Sequence, residues 1–164
     1  VLALVGAVVS GSTALHILDI QGSARWVPSD LDIYVPLGKA MRVVSYLVND
    51  EHYDYTGCHL SNYYGDFAGY TKVFQLQKSG KKVDVIQSFT ASALHPIPYF
   101  WSTHVMNYLT ADSFCVAYPT FTLSGRGLLN PLPLVKHRYP RERTLFVMAK
   151  YQDRGYDFRL YPYA

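Results

Sequence analysis

Asp30-Leu31-Asp32-Ile33-Tyr34-Val35, closed by Pro36, is the stretch on which the fold turns. Its β-branched and aromatic residues favour an extended chain. Successive side chains of a strand point to opposite faces, so Asp30 and Asp32 share one face while Leu31 and Ile33 share the other. Ser29 and Asp32 mimic a capping box, but the Ile33-Tyr34-Val35 run argues against a helix. Two carboxylates side by side repel, and one tends to keep its proton unless a cation lies between them. A hard cation with oxygen ligands, such as Mg²⁺, resolves that repulsion. A lone D-x-D is more often a solvated strand end, so its meaning depends on what surrounds it.

Upstream, Val5 to Ser10 reads as a buried strand or a helix end feeding one, followed by Gly11-Ser12-Thr13. Ala14-Leu15-His16-Ile17-Leu18 is a short helix opened by Ser12 or Thr13 as its cap. A Gly-Ser turn between strand and helix lets backbone amides approach a phosphate, and the helix N-terminus adds a favourable dipole. By itself such a turn is usually only a cap. Downstream, residues 37–50 carry Ala40, Val43, Val44, Leu47 and Val48 at helical spacing. Residues 52–69 read as a Tyr-rich loop with one short strand. Thr71–Gln77 and Lys81–Gln87 are two strand-like runs joined by the hairpin signal Ser79-Gly80. Asp84 lies between Val83 and Val85 in the second run. If that strand pairs beside the Asp30–Asp32 strand, three carboxylates converge, and such a cluster suits two-metal phosphoryl transfer. The order of the pieces therefore says more than any one of them.

Residues 98–110 read as an aromatic helix, and 112–134 as mixed structure with turns at Pro119 and at Gly125 and Gly127. A last helix is expected over Glu142–Arg154, stopped by Gly155. Intermixed strands and helices define an α/β (α+β) class, with a small mixed sheet flanked by helices. The division expected is a catalytic core over 1–92 and a short, mostly helical extension over 93–164 packed on it. The 164 residues suffice for one domain with a real core, and 49% hydrophobic residues exclude a disordered tail. Net charge is +3, too mild to call for nucleic acid by itself. The charge is uneven, however: Lys136, Arg138, Arg141, Arg143, Lys150, Arg154 and Arg159 crowd the last part of the chain. That face can hold phosphates or simply be solvated. The 15 tyrosines suit half-buried strands first and base stacking second. Cys58 and Cys115 form no disulfide framework or metal motif, which fits a reduced, cytoplasmic (intracellular) setting. The apolar run Val1–Val9 is too short to span a membrane and lacks the basic flank of a signal peptide, so no membrane partner is expected. A chain that begins without Met reads as a trimmed or fragmentary piece. No P-loop motif and no H-E-x-x-H spacing occurs.

Ser10-Gly11-Ser12-Thr13-Ala14-Leu15, then Ser29-Asp30-Leu31-Asp32-Ile33-Tyr34-Val35, then Val83-Asp84-Val85-Ile86 resembles the nucleotidyltransferase superfamily with the DNA polymerase beta-like catalytic fold. That pattern is a Gly-Ser turn, a D-x-D/E strand and a third Asp on a later strand. More narrowly, the chain resembles uncharacterised nucleotidyltransferase-like proteins of mushroom-forming fungi, through Ser102-Thr103-His104-Val105-Met106-Asn107, Lys150-Tyr151 and Arg154-Gly155-Tyr156. The motif-bearing part covers about residues 5–90. Seventeen residues separate Ser12 from Asp30, longer than in many members. After Asp84 little chain is left for the usual helical second domain, so that domain is expected to be small or cut away.

The resemblance implies that Asp30, Asp32 and Asp84 are both catalytic and metal-binding, holding two Mg²⁺ ions, with Mn²⁺ as an alternative. Gly11, Ser12 and Thr13 then bind the nucleotide, with Gly11 and Ser12 at the β- and γ-phosphates. An acceptor hydroxyl attacks the α-phosphate of a nucleoside triphosphate such as ATP, pyrophosphate leaves, and Asp84 can take the hydroxyl proton. The acceptor (RNA, protein or small molecule) is left open. Lys81 and Lys82 are lesser candidates for phosphate, and Ser102 and Asn107 for base or ribose. His104 is read as packed or surface-exposed. Two rival readings stand beside the enzyme: a catalytically silent nucleotide- or RNA-binding module, and a structural partner in a toxin–antitoxin-like pair. Intact carboxylates favour the enzyme, and pyrophosphate release separates it from both rivals.

Overall fold

The computed structural model describes residues 1–19, 25–61, 68–132 and 140–161. Residues 21–24 of the expected loop at 21–29, residues 62–67 of the Tyr-rich loop, Lys136 and Arg138 lie outside these residues.

The sequence signals place most elements. A one-turn helix α1 (Leu2–Val5) leads into β1 (Val8–Ser10), and α2 (Gly11–Ile17) follows without a linker. Then come β2 (Asp30–Val35), α3 (Ala40–Asn49), β3 (Asp54–Leu60), β4 (Tyr70–Lys78) and β5 (Lys81–Ser88). The β4–β5 hairpin turns at Ser79 (φ 49°) and Gly80 (φ 78°). Two successive positive φ values match the twist of the flanking strands. Residues 93–164 add β6 (Asn107–Leu109), β7 (Phe114–Val116), a one-turn α4 (Pro119–Thr122) and β8 (Arg126–Leu128). They end with α5 (Glu142–Gln152) and β9 (Asp157–Arg159).

Seven strands form one mixed sheet in the order β3-β4-β5-β2-β1-β6-β7, and β8 pairs with β9 in a small second sheet. Within the large sheet β2 and β5 run parallel and the other neighbours antiparallel. The fold class is thus mixed α+β, as the sequence leads one to expect. One face of the sheet is continuously apolar. Ile33, Val35, Phe74, Leu76, Val83 and Val85 pack there against Ala40, Val43, Val44 and Leu47 of α3. Those four α3 residues are the stripe that the helical spacing picks out. The opposite face is divided. Its lower half, Val8, Tyr34 and Ile86, is sealed by Ala93, Ile97 and Met106. Its upper half carries Asp32 and Asp84 and is open.

Three expectations are corrected. First, no helix covers 98–110. The chain there makes two 3-10 turns, Ile97–Tyr99 and Thr103–Val105, and then β6. Pro96 and Pro98 lack the amide donors a helix needs, and β6 finds strand partners in β1 and β7. Second, β3 is a seven-residue strand where a loop with one short strand is expected. Its residues are nearly all exposed, so periodicity gives no signal. Third, α2 starts at Gly11 with Ser10 at the cap position, not Ser12 or Thr13. The Ser10 hydroxyl donates to the Asn107 carbonyl (2.5 Å) and ties β1 to β6.

Candidate active site

The parallel pairing of β2 with β5 sets Asp32 directly opposite Asp84, and Asp30 opposite Lys82. Asp30, Asp32 and Asp84 therefore occupy one face of two adjacent strands. The antiparallel pairing of β1 puts Ser10 opposite Asp32, so the α2 N-terminus begins beside the carboxylates. Gly11 has φ +69°, a left-handed conformation that suits glycine. A Cβ there would lie 2.6 Å from Asp32 Oδ2. The start of α2 and the D-x-D strand are thus packed so closely that a side chain at position 11 would displace the Asp32 carboxylate.

All three carboxylates line one cavity of about 520 Å³, together with Gly11 and Ser12. Thr13 does not line it. Its hydroxyl donates to the Asp30 carbonyl (2.8 Å) and braces α2 against β2. The far wall is α5 and its approach: Arg141, Arg143, Val147, Lys150 and Tyr151. The spacing 143, 147, 150, 151 is one helical face. Val147 and Tyr151 dock that face against Leu15 and Val105. Part of the basic C-terminal segment accordingly faces the carboxylates across the cavity. Tyr34, Tyr70, Tyr99, Phe100 and Trp101 line the remainder. The tyrosine count hints at such a lining without locating it.

Loss of solvent pushes the Asp32 carboxyl up to about 7, with Asp30 and Asp84 adding to the shift and Lys150 opposing it. Burial also raises Asp84, and Asp30 adds to it; hydrogen bonding from Gln75 and the charges of His59 and Lys82 hold it back. Burial is the larger cause at both residues, and the repulsion anticipated between neighbouring carboxylates adds to it. Among the described residues, no three His, Cys, Asp or Glu side chains are gathered closely enough to enclose a metal ion. Mg²⁺ does not require such a cage, because it is commonly held by one or two carboxylates together with substrate phosphates and water. An all-oxygen, mutually repelling donor set fits a hard cation of that kind.

Lys81 and Lys82 are exposed; Lys82 shares the carboxylate face but neither lysine lines the cavity. Ser102 and Asn107 are wholly buried and serve internal bonds, not base or ribose. Asn107 Nδ2 donates to the His104 carbonyl (2.7 Å), and Ser102 Oγ pairs with His104 Nδ1 (3.0 Å). Of the two expectations for His104, packed or surface-exposed, the structure shows the first: Trp101, Tyr151, Tyr156 and Phe158 surround its ring at 4.6–5.0 Å. Gln75 and His59, which flank Asp84, carry no motif. The alternation of Val73, Gln75 and Gln77 with the buried Phe74 and Leu76 is the signal that sets Gln75 off the core. Cys58 and Cys115 are free thiols, the first exposed and the second half-buried. Among the described residues no helix is long and apolar enough to cross a membrane.

No protein-family model matches the chain, and neither does any curated protein. Among solved structures it is similar to a tRNA-processing enzyme in an apo form, with a TM-score of 0.61 and 14% identity. The match covers 93% of this chain and 39% of that one, so the sequence spans well under half of the enzyme's length. At this identity the likeness concerns the fold alone, and it extends over nearly all of the chain, residues after β5 included.

Proposed function

We propose that the protein is a metal-dependent nucleotidyltransferase that moves a nucleoside monophosphate from a nucleoside triphosphate to a hydroxyl acceptor, releasing pyrophosphate. The observation that carries this reading is the register: Asp32 beside Asp84 on parallel strands, with Gly11 pressed against Asp32. Asp30 and Asp32, with Asp84, would hold Mg²⁺ (or Mn²⁺) together with the triphosphate. Bound metal supplies charge neutralisation and lowers the pKa of the acceptor hydroxyl. Gly11 and Ser12, at the start of α2, receive the β- and γ-phosphates on backbone amides. Arg143 and Lys150 meet the same phosphates from the opposite wall as cationic partners. The acceptor oxygen attacks the α-phosphorus, the bond to the β-phosphate oxygen breaks, and Asp84 takes the hydroxyl proton. Positioning and charge do most of the catalysis.

RNA is the first acceptor to test, because the fold is shared with an enzyme that processes tRNA. Each labelled nucleoside triphosphate, ATP included, is incubated with the protein, Mg²⁺ or Mn²⁺, and RNA, protein or small-molecule acceptors. Label transfer with pyrophosphate release supports the proposal and names the nucleotide. Nucleotide binding without release selects a silent nucleotide-binding module instead.

A further inference from the structure

We propose that Gln75 is the positioning residue for Asp84, and that His59 on the edge strand β3 fixes Gln75 in turn. This rests on the active-site reading above and deepens it. The β4–β5 register sets Gln75 opposite Asp84, on the face that carries the carboxylates. On its other flank, His59 Nε2 lies 2.7 Å from Gln75 Oε1. The register position next to Gln75 on β3 is Gly57, which has no side chain, so His59 can reach across.

The donor inventory fixes the direction of this chain. An ionised carboxylate only accepts hydrogen bonds, so Gln75 must turn its amide nitrogen towards Asp84. Its oxygen then faces His59, whose Nε2 must carry the hydrogen. One arrangement satisfies every group: His59 N–H to Gln75 oxygen, Gln75 N–H to Asp84. Gln75 lies across the β4–β5 register from Asp84 and carries a side-chain hydrogen bond to it.

Asp84 needs such a partner. The neighbouring Asp30 repels it, and without a donor its carboxylate would rotate away. Gln75 aims it at the site. Partners of this kind, one shell out from a metal ligand, commonly change metal affinity or activity 10–100-fold when removed. The role also gives a use to an exposed His on an edge strand.

The test titrates Mn²⁺ alone against the whole chain at pH 8, reading free Mn²⁺ by electron paramagnetic resonance. Gln75→Leu is expected to weaken binding by roughly 10-fold or more, and His59→Ala by roughly 3-fold. His59→Gln keeps a donor at similar reach and is expected to restore wild-type affinity. Equal binding by wild type, Gln75→Leu and His59→Ala overturns this proposal and leaves the carboxylate site standing. Loss in Gln75→Leu without loss in His59→Ala overturns the part assigned to His59, as does a loss that His59→Gln fails to restore. If Gln75→Leu does not fold, equal binding by His59→Ala and wild type overturns the proposal, because His59 is exposed and its variants leave the core intact. No binding by wild type overturns the metal site and this proposal together.

Discussion

Two regions of the molecule meet across a single layer of rings. On one side of Trp101 and Tyr151 lies the cavity with Asp30, Asp32 and Asp84. On the other side lies His104, wrapped by those two rings with Tyr156 and Phe158. In both regions burial drives a titratable group towards its neutral form. Asp32 is raised to about 7, with its anionic neighbours adding to the effect, whereas His104 is lowered to about 3 by burial and then by Arg154. The difference lies in what surrounds them. Aromatic rings accommodate a neutral imidazole: Nδ1 pairs with Ser102, while Nε2 is buried with no hydrogen-bond partner. Carboxylates do not satisfy another carboxylate, and a cation set between them would relieve their repulsion. The aromatic cluster builds the wall; the carboxylate cluster is a strained site that the wall supports.

Acid should break the wall first. His104 is neutral in the folded state down to about pH 3, while in the unfolded chain it takes a proton near 6.5. The fold is therefore at full strength, as far as His104 is concerned, above pH 6.5. Stability is lost progressively as pH falls from 6.5 towards 3, to a limit of about 5 kcal/mol. Urea melts at pH 7 and pH 4.5 measure this. A slope that vanishes in His104→Gln confirms the source, and an equal slope in both proteins contradicts it.

The carboxylate cluster predicts the opposite sign. Asp32 titrates at 3.8 in the unfolded chain and at about 7 in the folded one, so ionising it destabilises the fold as pH rises through that window. Without metal, Asp32→Asn is expected to stabilise the protein at pH 8 by roughly 1–3 kcal/mol, discounted for its partial exposure. Near pH 4 the gain is expected to disappear. Thermal melts at both pH values decide it, and a destabilised variant at pH 8 would contradict the strained-site picture. Smaller still is the expected effect of Gly11→Ala, about 1–2 kcal/mol lost to a left-handed backbone and a close contact with Asp32. Its effect on nucleotide affinity should exceed its effect on stability, since the added methyl also displaces the carboxylate; equilibrium dialysis and melts together check this.

Such a contrast also explains what the sequence could and could not convey. Asp30 to Val35, α3 and the β4–β5 hairpin are legible because each has one apolar face and one polar face, and alternation or helical spacing reports it directly. Asp84 stands out for the same reason, as a carboxylate between buried valines. The parallel pairing of β2 with β5, which unites the carboxylates, is a long-range event with no local signal; only a resemblance suggests it. Residues 98–110 mislead because the half-buried Trp101 and the buried His104 and Asn107 fall at spacings that suit an irregular turn as readily as a helix. Gln75 and His59 stay hidden because a single amide or imidazole on a half-exposed strand is ordinary until its neighbour is known. Arg143 and Lys150 announce a basic face, but its partner cavity lies far away in the chain.

The central claim is that the three carboxylates transfer a nucleotide. Its most direct test is pyrophosphate release from each nucleoside triphosphate with Mg²⁺ or Mn²⁺, comparing wild type with Asp30→Ala/Asp32→Ala, and with RNA and cell extract as acceptor sources. The account predicts release with at least one nucleotide and a fall of roughly 10³-fold or more in the variant. Release at equal rates by both proteins, or none by wild type while the fold and nucleotide binding are intact, would contradict it.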